Sequence, residues 1–269
     1  MLTVTPDDRR ARRSEIGPNS RQLRLRLLSF NIQVGLHTRH YGHYVTRAWQ
    51  HVAPAASARG NLARIAELMR DYDFVAIQEA DAGSLRTRYV NQLEYLARHA
   101  GFAHWGLSVT RDLQPVAQHC LGYLSRFSPV KITEHVLPSR IPGRRAMTIE
   151  LGAENGGLTL LIAHLSLGRV SQRRQLDFLA DLVPSSRPTV LLGDLNCEPA
   201  TLRSHAGLHR SGLMVPSATP ATFPSWRPAR SIDHILVSPE VHLASLRALP
   251  HTLSDHRPLA AEIDLSVPK

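Results

Sequence analysis

From position 23 onward the chain alternates short apolar runs with turn residues. Runs near 24–33, 73–78, 102–109, 119–126, 131–137, 145–152, 157–164, 188–193, 231–237, 241–248 and 258–264 have strand length and β-type composition, and they predict strands. Three segments instead place apolar residues at helical spacing: 58–71 (Leu62, Ile65, Ala66, Met69), 88–99 (Val90, Leu93, Leu96, Ala97) and 169–182 (Leu176, Leu179 and Ala180, with Val183 just beyond). Many strands with few helices between them argue against a doubly wound sheet and for two sheets packed together with helices outside. Residues 36–60 fit neither period. They carry four histidines, several arginines and aromatics, and so long a loop in a compact domain is usually functional or disordered.

Composition adds bounds to this picture. With 269 residues, 43% of them hydrophobic, the chain can bury one large core, so a single domain over 23–269 is expected. The formal charge of +10 rests on arginine, since Lys131 and Lys269 are the only lysines. Guanidinium groups match phosphate oxygens bidentately, which favours an anionic partner, although a solvated arginine-rich surface accounts for the same surplus. Cys120 and Cys197 are too few for a disulfide framework, which fits a reducing, cytoplasmic setting. No run approaches the roughly 18 apolar residues that span a membrane. Residues 1–22, with Arg9, Arg10, Arg12 and Arg13, read as a disordered basic arm; the next apolar stretch, LRLRLLSFNI, keeps its own arginines and reads as a strand, not a signal.

The chemistry-bearing residues cluster at the ends of the apolar runs. VLLGDLNCEP at 190–199 is an apolar strand that closes on Gly193 and sets Asp194 and Asn196 two apart, on one face of an extended backbone. A carboxylate and an amide so presented can orient a water, bind a hard cation or hold a phosphoryl oxygen, while GDLN is also an ordinary turn composition. SIDHILVSP at 231–239 puts Asp233 at the start of an apolar strand, where a charge needs a partner. In TLSDHRPLAAEI at 252–263, His256 suits a general acid or phosphate clamp, with Asp255 or Asp233 fixing its tautomer; an Asp-His pair alone is more often a surface feature. FVAIQEAD at 74–81 ends in Gln78 and Glu79, LLSFNIQVG at 27–35 ends its strand at Asn31, and LTLLIAHLSLG at 158–168 holds His164, which alone would read as a satisfied core histidine. Polar residues that end or interrupt five apolar strands make a site if those ends converge.

In this order the motifs resemble the endonuclease/exonuclease/phosphatase superfamily: an Asn after the first strand, a QE pair, GYLSRF at 122–127, an H-L pair, G-D-x-N, a D-[HY] strand and a closing S-D-H, over about residues 25–265. TRAWQH at 46–51, DAGSLR at 81–86, AQH at 117–119 and TFPSWRP at 222–228 are similar to a bacterial branch of it. The resemblance implies an α/β (α+β) fold, a four-layered sandwich of two mostly antiparallel sheets face to face with helices outside. It implies Mg²⁺ or Mn²⁺ held by Glu79 with Asn31 and Asp255, and Asp194 and Asn196 orienting water and phosphate. His256, backed by Asp255, would bond a phosphoryl oxygen, and His164, partnered by Asp233, would assist proton transfer. Asn31, Asn196, Arg126 and His119 would contact substrate. Gln33 stands where some members carry an acidic residue, and His234, often Tyr, reads as structural.

The expected activity is therefore divalent-metal-dependent hydrolysis of phosphodiesters by a nuclease-like monomer, with a phosphate ester as substrate and nucleic acid favoured by the charge. A phospholipid or inositol-phosphate esterase is the alternative. It would need an apolar rim for peripheral membrane contact, which His40, Tyr41, Tyr44 and Trp49, or Phe223 and Trp226, could supply. A non-catalytic binding protein of the same fold would be expected to have lost one of Glu79, Asp194, Asn196 or His256, and all are present.

Overall fold

A computed structural model describes residues 20–35, 56–140 and 142–268. The apolar runs form β1 (Ser20–Asn31), β2 (Phe74–Asp81), β3 (His104–Leu113), β4 (Ala117–Ser125), β5 (Pro129–Val136), β6 (Arg145–Leu151), β7 (Thr159–His164), β8 (Thr189–Asp194), β9 (Asp233–Val237), β10 (His242–Ala248) and β11 (Leu259–Pro268). One sheet has the order β10-β11-β1-β2-β4-β3 and the other β5-β6-β7-β8-β9. Neighbours are antiparallel except for β1–β2 and β7–β8, one parallel pair in each sheet. The helical segments form α1 (Ala56–Met69), α2 (Gln92–Ala100) and α3 (Arg169–Asp181). Two short helices, α4 (Pro199–Arg203) and α5 (Ala206–Ser211), follow β8 and are too brief to show a helical period in sequence.

The layers follow from alternation. On β1, Leu25 and Leu27 join Leu160, Ile162, Val190, Leu192 and Ile235 in the core between the sheets, whereas Leu28, Phe30 and Ile32 pack with α1 and α2 residues such as Ile65, Met69, Leu93 and Leu96. Beneath the second sheet, Leu161, Ala163 and Leu191 meet Leu176 and Leu179 of α3. Each such fully buried aliphatic side chain contributes about 1.5–3 kcal/mol, so the three clusters dominate the stability of the four layers.

Three boundaries differ from the sequence reading. Residues 20–22, assigned to the basic arm, extend β1 and pair with 266–268 of β11. The second helix begins at Gln92, because Arg88 and Tyr89 are left-handed (φ 55° and 61°) and the Asn91 carboxamide caps the amides of Leu93 and Glu94. Of the 36–60 segment, residues 36–55 lie outside the described residues, as do His40, Tyr41, Tyr44, Trp49 and the TRAWQH motif, while 56–60 open α1.

Candidate active site

The parallel pairs β1–β2 and β7–β8 finish at the same end of the sandwich, where the antiparallel β9 and β11 begin. Alternation aims most of the polar termini between the sheets. Asn31 continues the face of Leu25 and Leu27, His164 that of Leu160 and Ile162, Asp194 that of Val190 and Leu192, and Asp233 that of Ile235 and Val237. Registers then place His164 beside Asp194 and Asp194 beside Asp233, in one row across β7, β8 and β9. That row needs Gly193: its φ is +153°, and a Cβ there would lie 1.9 Å from the Ala163 carbonyl oxygen of β7.

Glu79 arrives by another route. Strict alternation would turn it, with Val75 and Ile77, towards the helices. A bulge between Ile77 and Ala80, with Glu79 itself left-handed at φ 55°, brings its carboxylate to the His164 side instead.

The centre of the site is Oδ2 of Asp194. Asn31 Nδ2 donates to it at 3.1 Å, His164 Nε2 lies 3.5 Å away and His256 Nε2 3.8 Å away. Glu79 Oε1 lies 3.8 Å from the same His164 nitrogen. His256 Nδ1 meets Asp233 Oδ2 at 2.8 Å, and Thr222 Oγ1 donates to that oxygen as well. Ligand atoms of Asp194, Asp233 and His256 all fall within 4.8 Å of one another.

Crowding and burial set the charges. Burial pushes the Asp194 carboxyl up to about 7; Asp233 and Glu79 add to this, while His256 and the Asn31 hydrogen bond oppose it. Burial likewise raises Glu79, and the facing Asp255 carboxylate raises it further. His164 is held well below the ordinary histidine range by burial, and next by Arg144 and His256, so it is neutral. For His256, burial alone would lower the pKa, but Asp233 and Asp194 overcome it and hold the imidazolium well above that range.

Several assignments are sharpened or corrected by this geometry. Asp233 partners His256, not His164, because the antiparallel register delivers it beside Asp194 on the far side from β7. Asp255 is not the hydrogen-bond partner of the His256 ring; it is buried at 7% exposure, accepts the Ser254 hydroxyl and faces Glu79. Asn196 does not project in parallel with Asp194. The chain turns left-handed there (φ 53°), Asp194 Oδ1 accepts the Asn196 amide, and the Asn196 side chain donates to the Leu165 carbonyl, beside an adjoining groove of 710 Å³.

Arg126 lies at the opposite end of the sheet. There its guanidinium hydrogen-bonds the carbonyls of Tyr72, Gly101 and Arg70 and stacks on Phe102, so it is a structural clamp and not a substrate contact. Phe223 and Trp226 are half-buried and form no exposed rim. Phe223 packs on the His256 ring at 5.0 Å, and Ser225 bonds the Ser254 and Asp255 carbonyls, so the TFPSWRP loop buttresses the site. His234 is buried and bonds the Cys197 carbonyl, as a structural residue should.

A cleft of 530 Å³ opens from Glu79 and His164, bounded by His119, Arg111, Arg140 and Arg144. Sequence reading missed Arg144. It sits close enough to Glu79 and Asp194 for both charges to act on it, and burial lowers its pKa. The neighbouring Gly143, at φ +111°, lets the loop press on Thr110 of the other sheet; a Cβ would lie 2.4 Å from the Thr110 carbonyl oxygen. The only sequence signal was the PGRR turn between two strands, in a chain full of arginines.

Two mixed sheets packed face to face, with helices outside, present Glu79, Asn31, Asp194, Asp233 and His164 at one shared end. The sequence pattern of the endonuclease/exonuclease/phosphatase family matches residues 28–256, and the chain belongs to that family of hydrolases. Its fold is similar to that of an endonuclease/exonuclease/phosphatase from Beutenbergia cavernae (TM-score 0.69, 21% identity, 90% of this chain and 72% of that one). It is also similar to the mannosyl-6-phosphatase Bt3783 of Bacteroides thetaiotaomicron (0.67, 18%, 89% and 99%) and to the catalytic domain of human nocturnin (0.64, 16%, 91% and 96%). No curated protein sequence matches the chain. Among the described residues no helix is long and apolar enough to cross a membrane.

Proposed function

We propose that the protein is a divalent-metal-dependent phosphodiesterase of nuclease-like type. The observation that carries this reading is the hub at Asp194 Oδ2, shared by Asn31, His164 and His256 beside the cleft that Glu79 lines. Glu79 and Asp255 fit Mg²⁺ or Mn²⁺, because two facing carboxylates, of which Asp255 raises the proton affinity of Glu79, offer hard oxygen donors and a charge that a cation relieves. Asn31 lies against the carboxylates of Glu79 and Asp194 and completes that environment. A bound cation would supply Lewis acidity and neutralise charge on the phosphoryl group.

The chain's own residues do the rest. Asp194, with its carboxyl near 7, takes a proton from the attacking water as the water oxygen bonds to phosphorus. Asn31 holds that carboxylate in place, and neutral His164 stands within reach to pass the proton on. The His256 imidazolium, fixed by Asp233, donates through Nε2 to a phosphoryl oxygen, while Arg144 offsets the charge gathering there. The ester P–O bond then breaks, and the leaving oxygen takes a proton from solvent.

Arg111, Arg140 and Arg144 along the cleft suit a polyanion, which favours nucleic acid. A phospholipid or inositol-phosphate esterase is the second reading, and it draws on Leu167 at the cleft mouth, 77% exposed, and nearby Val170, 63% exposed. The test is a parallel screen of bis-p-nitrophenyl phosphate, plasmid DNA, RNA, phospholipid vesicles and inositol phosphates with Mg²⁺ or Mn²⁺, against EDTA and Glu79→Ala. Metal-dependent turnover should fall at least about a hundredfold in His256→Ala. The same loss is expected for Asn196→Ala, through disorder of the turn that carries Asp194. No metal-dependent hydrolysis of any ester would overturn the reading.

A further inference from the structure

Two segments singled out in the sequence, DAGSLR at 81–86 and AQH at 117–119, take no part in the chemistry above, yet the fold joins them. The β2–β4 register sets Asp81 opposite His119. The Asp81 carboxylate is fully buried; Oδ2 accepts Arg86 Nε at 2.6 Å and the Ser84 hydroxyl at 2.8 Å, and Oδ1 accepts the Gly83 amide at 2.9 Å. Its own amide donates to Gln92, whose side chain donates in turn to the Val34 carbonyl just beyond Asn31. The network is thus anchored to the loop after β1.

Arg86, its side chain only 3% exposed, extends its fork past Asp81, and Nη1 lies 3.3 Å from His119 Nε2. A guanidinium has donors and no acceptor, so Nε2 of His119 must be the acceptor and the ring proton must sit on Nδ1. A lysine could pair with Asp81 but could not hold both partners in one plane. His119 in turn lines the cleft with Glu79, His164 and Arg144.

We propose that the buried Asp81–Arg86 pair is a positioning device that locks His119 as a neutral Nδ1–H donor, aimed at an oxygen of the phosphate ester bound in the cleft. Arg144 and His256 attract that group by charge. His119 adds a single directional hydrogen bond and so discriminates between esters by where their oxygens lie. The identity of the acceptor rests on the phosphoesterase reading; the tautomer lock does not.

The test has two arms. In ring ¹⁵N–¹H correlation spectra of the full chain in EDTA, the His119 signals, identified by their loss in His119→Gln, should show the Nδ1–H tautomer in the wild-type protein. That pattern should disappear in Arg86→Lys, which keeps a cation for Asp81, and in Arg86→Gln where it folds. With Mg²⁺ and bis-p-nitrophenyl phosphate, His119→Ala and Arg86→Lys should each raise KM about tenfold, the value of one lost hydrogen bond, with kcat changed less. Arg86→Lys should add less than about twofold on top of His119→Ala, and His119→Asn, which retains a donor, should recover part of the loss. An Nε2-protonated His119 in the wild-type protein, or losses that multiply in the double variant, would overturn the proposal. A wild-type protein inactive on every ester would instead overturn the phosphoesterase reading and leave the spectra to decide the tautomer lock.

Discussion

Strands β2 and β8 are each paired in parallel with a neighbour, and each brings an acidic residue to the same end of the sandwich. On β8 simple alternation carries Asp194 inward behind Val190 and Leu192, into a site where it is 2% exposed. On β2 alternation would have pointed Glu79 the wrong way, and a left-handed bulge re-aims it to the cleft, with its side chain 37% exposed. The difference teaches that the regular strand provides a dry, electrostatically loaded carboxylate suited to proton chemistry. The bulge provides a wetter carboxylate suited to a hydrated cation.

The largest expected effect tests the dry side. Asp194→Asn should lower kcat/KM by about a thousandfold or more, as for a lost general base. It should also stabilise the metal-free fold in a pH-dependent way. The folded carboxyl binds its proton more tightly than the unfolded one, so ionisation costs stability; the cost is absent below about pH 4, grows with rising pH and is complete above about 7. Thermal unfolding in EDTA should therefore show a raised Tm for the variant at pH 8 and almost none of that gain at pH 4. A gain independent of pH would show that the buried site does not hold the proton on Asp194.

Gly193→Ala comes next. Its Cβ would strike the Ala163 carbonyl oxygen, in a backbone conformation that L residues avoid, and should cost about 3 kcal/mol or more in urea unfolding. Wild-type stability in that variant would show that β7 and β8 are less tightly apposed than the row of His164 and Asp194 requires. Glu79→Gln should lower turnover about a hundredfold and raise the Mg²⁺ concentration needed for half-maximal rate, whereas Asp194→Asn should leave that concentration within about threefold. A metal titration that shifts equally in both variants would erase the division of labour.

The smallest effect lies in the pH profile. Activity should rise as Asp194 ionises near 7 and fall at higher pH as His256 loses the proton that Asp233 and Asp194 retain on it. Asp233→Asn removes the hydrogen-bonded charge, so its falling limb should move to lower pH. An unmoved limb would detach His256 from the profile.

Every strand among the described residues was legible in the apolar pattern, and so were the three longer helices, because a half-buried strand and an amphipathic helix each impose a period on their own residues. That Asn31, Glu79, His164, Asp194 and Asp233 end or interrupt apolar strands was legible too, but their convergence follows only from the registers between strands. Arg144 was hidden because one more arginine in a turn carries no local signal. Arg126 misled because GYLSRF shows its residue type but not that Tyr72, Gly101 and Arg70 turn their carbonyls towards it. The loop at 220–230 has aromatics that suit a rim equally well as a buttress; only the folded position of Phe223 against His256 decides.

By itself, then, the sequence determined the strands and the three longer helices, the two-sheet layering and the roster of acidic, amide and histidine groups at strand ends, since each of these depends on spacing along one stretch of chain. The tertiary structure decided that Glu79 turns inward, that Asp233 belongs to His256, that Asn196 holds a turn, and that Asp81, Arg86 and His119 form one line into the cleft. Those outcomes depend on register between strands far apart in sequence and on charges gathered in a dry space, and neither quantity is written at any single position.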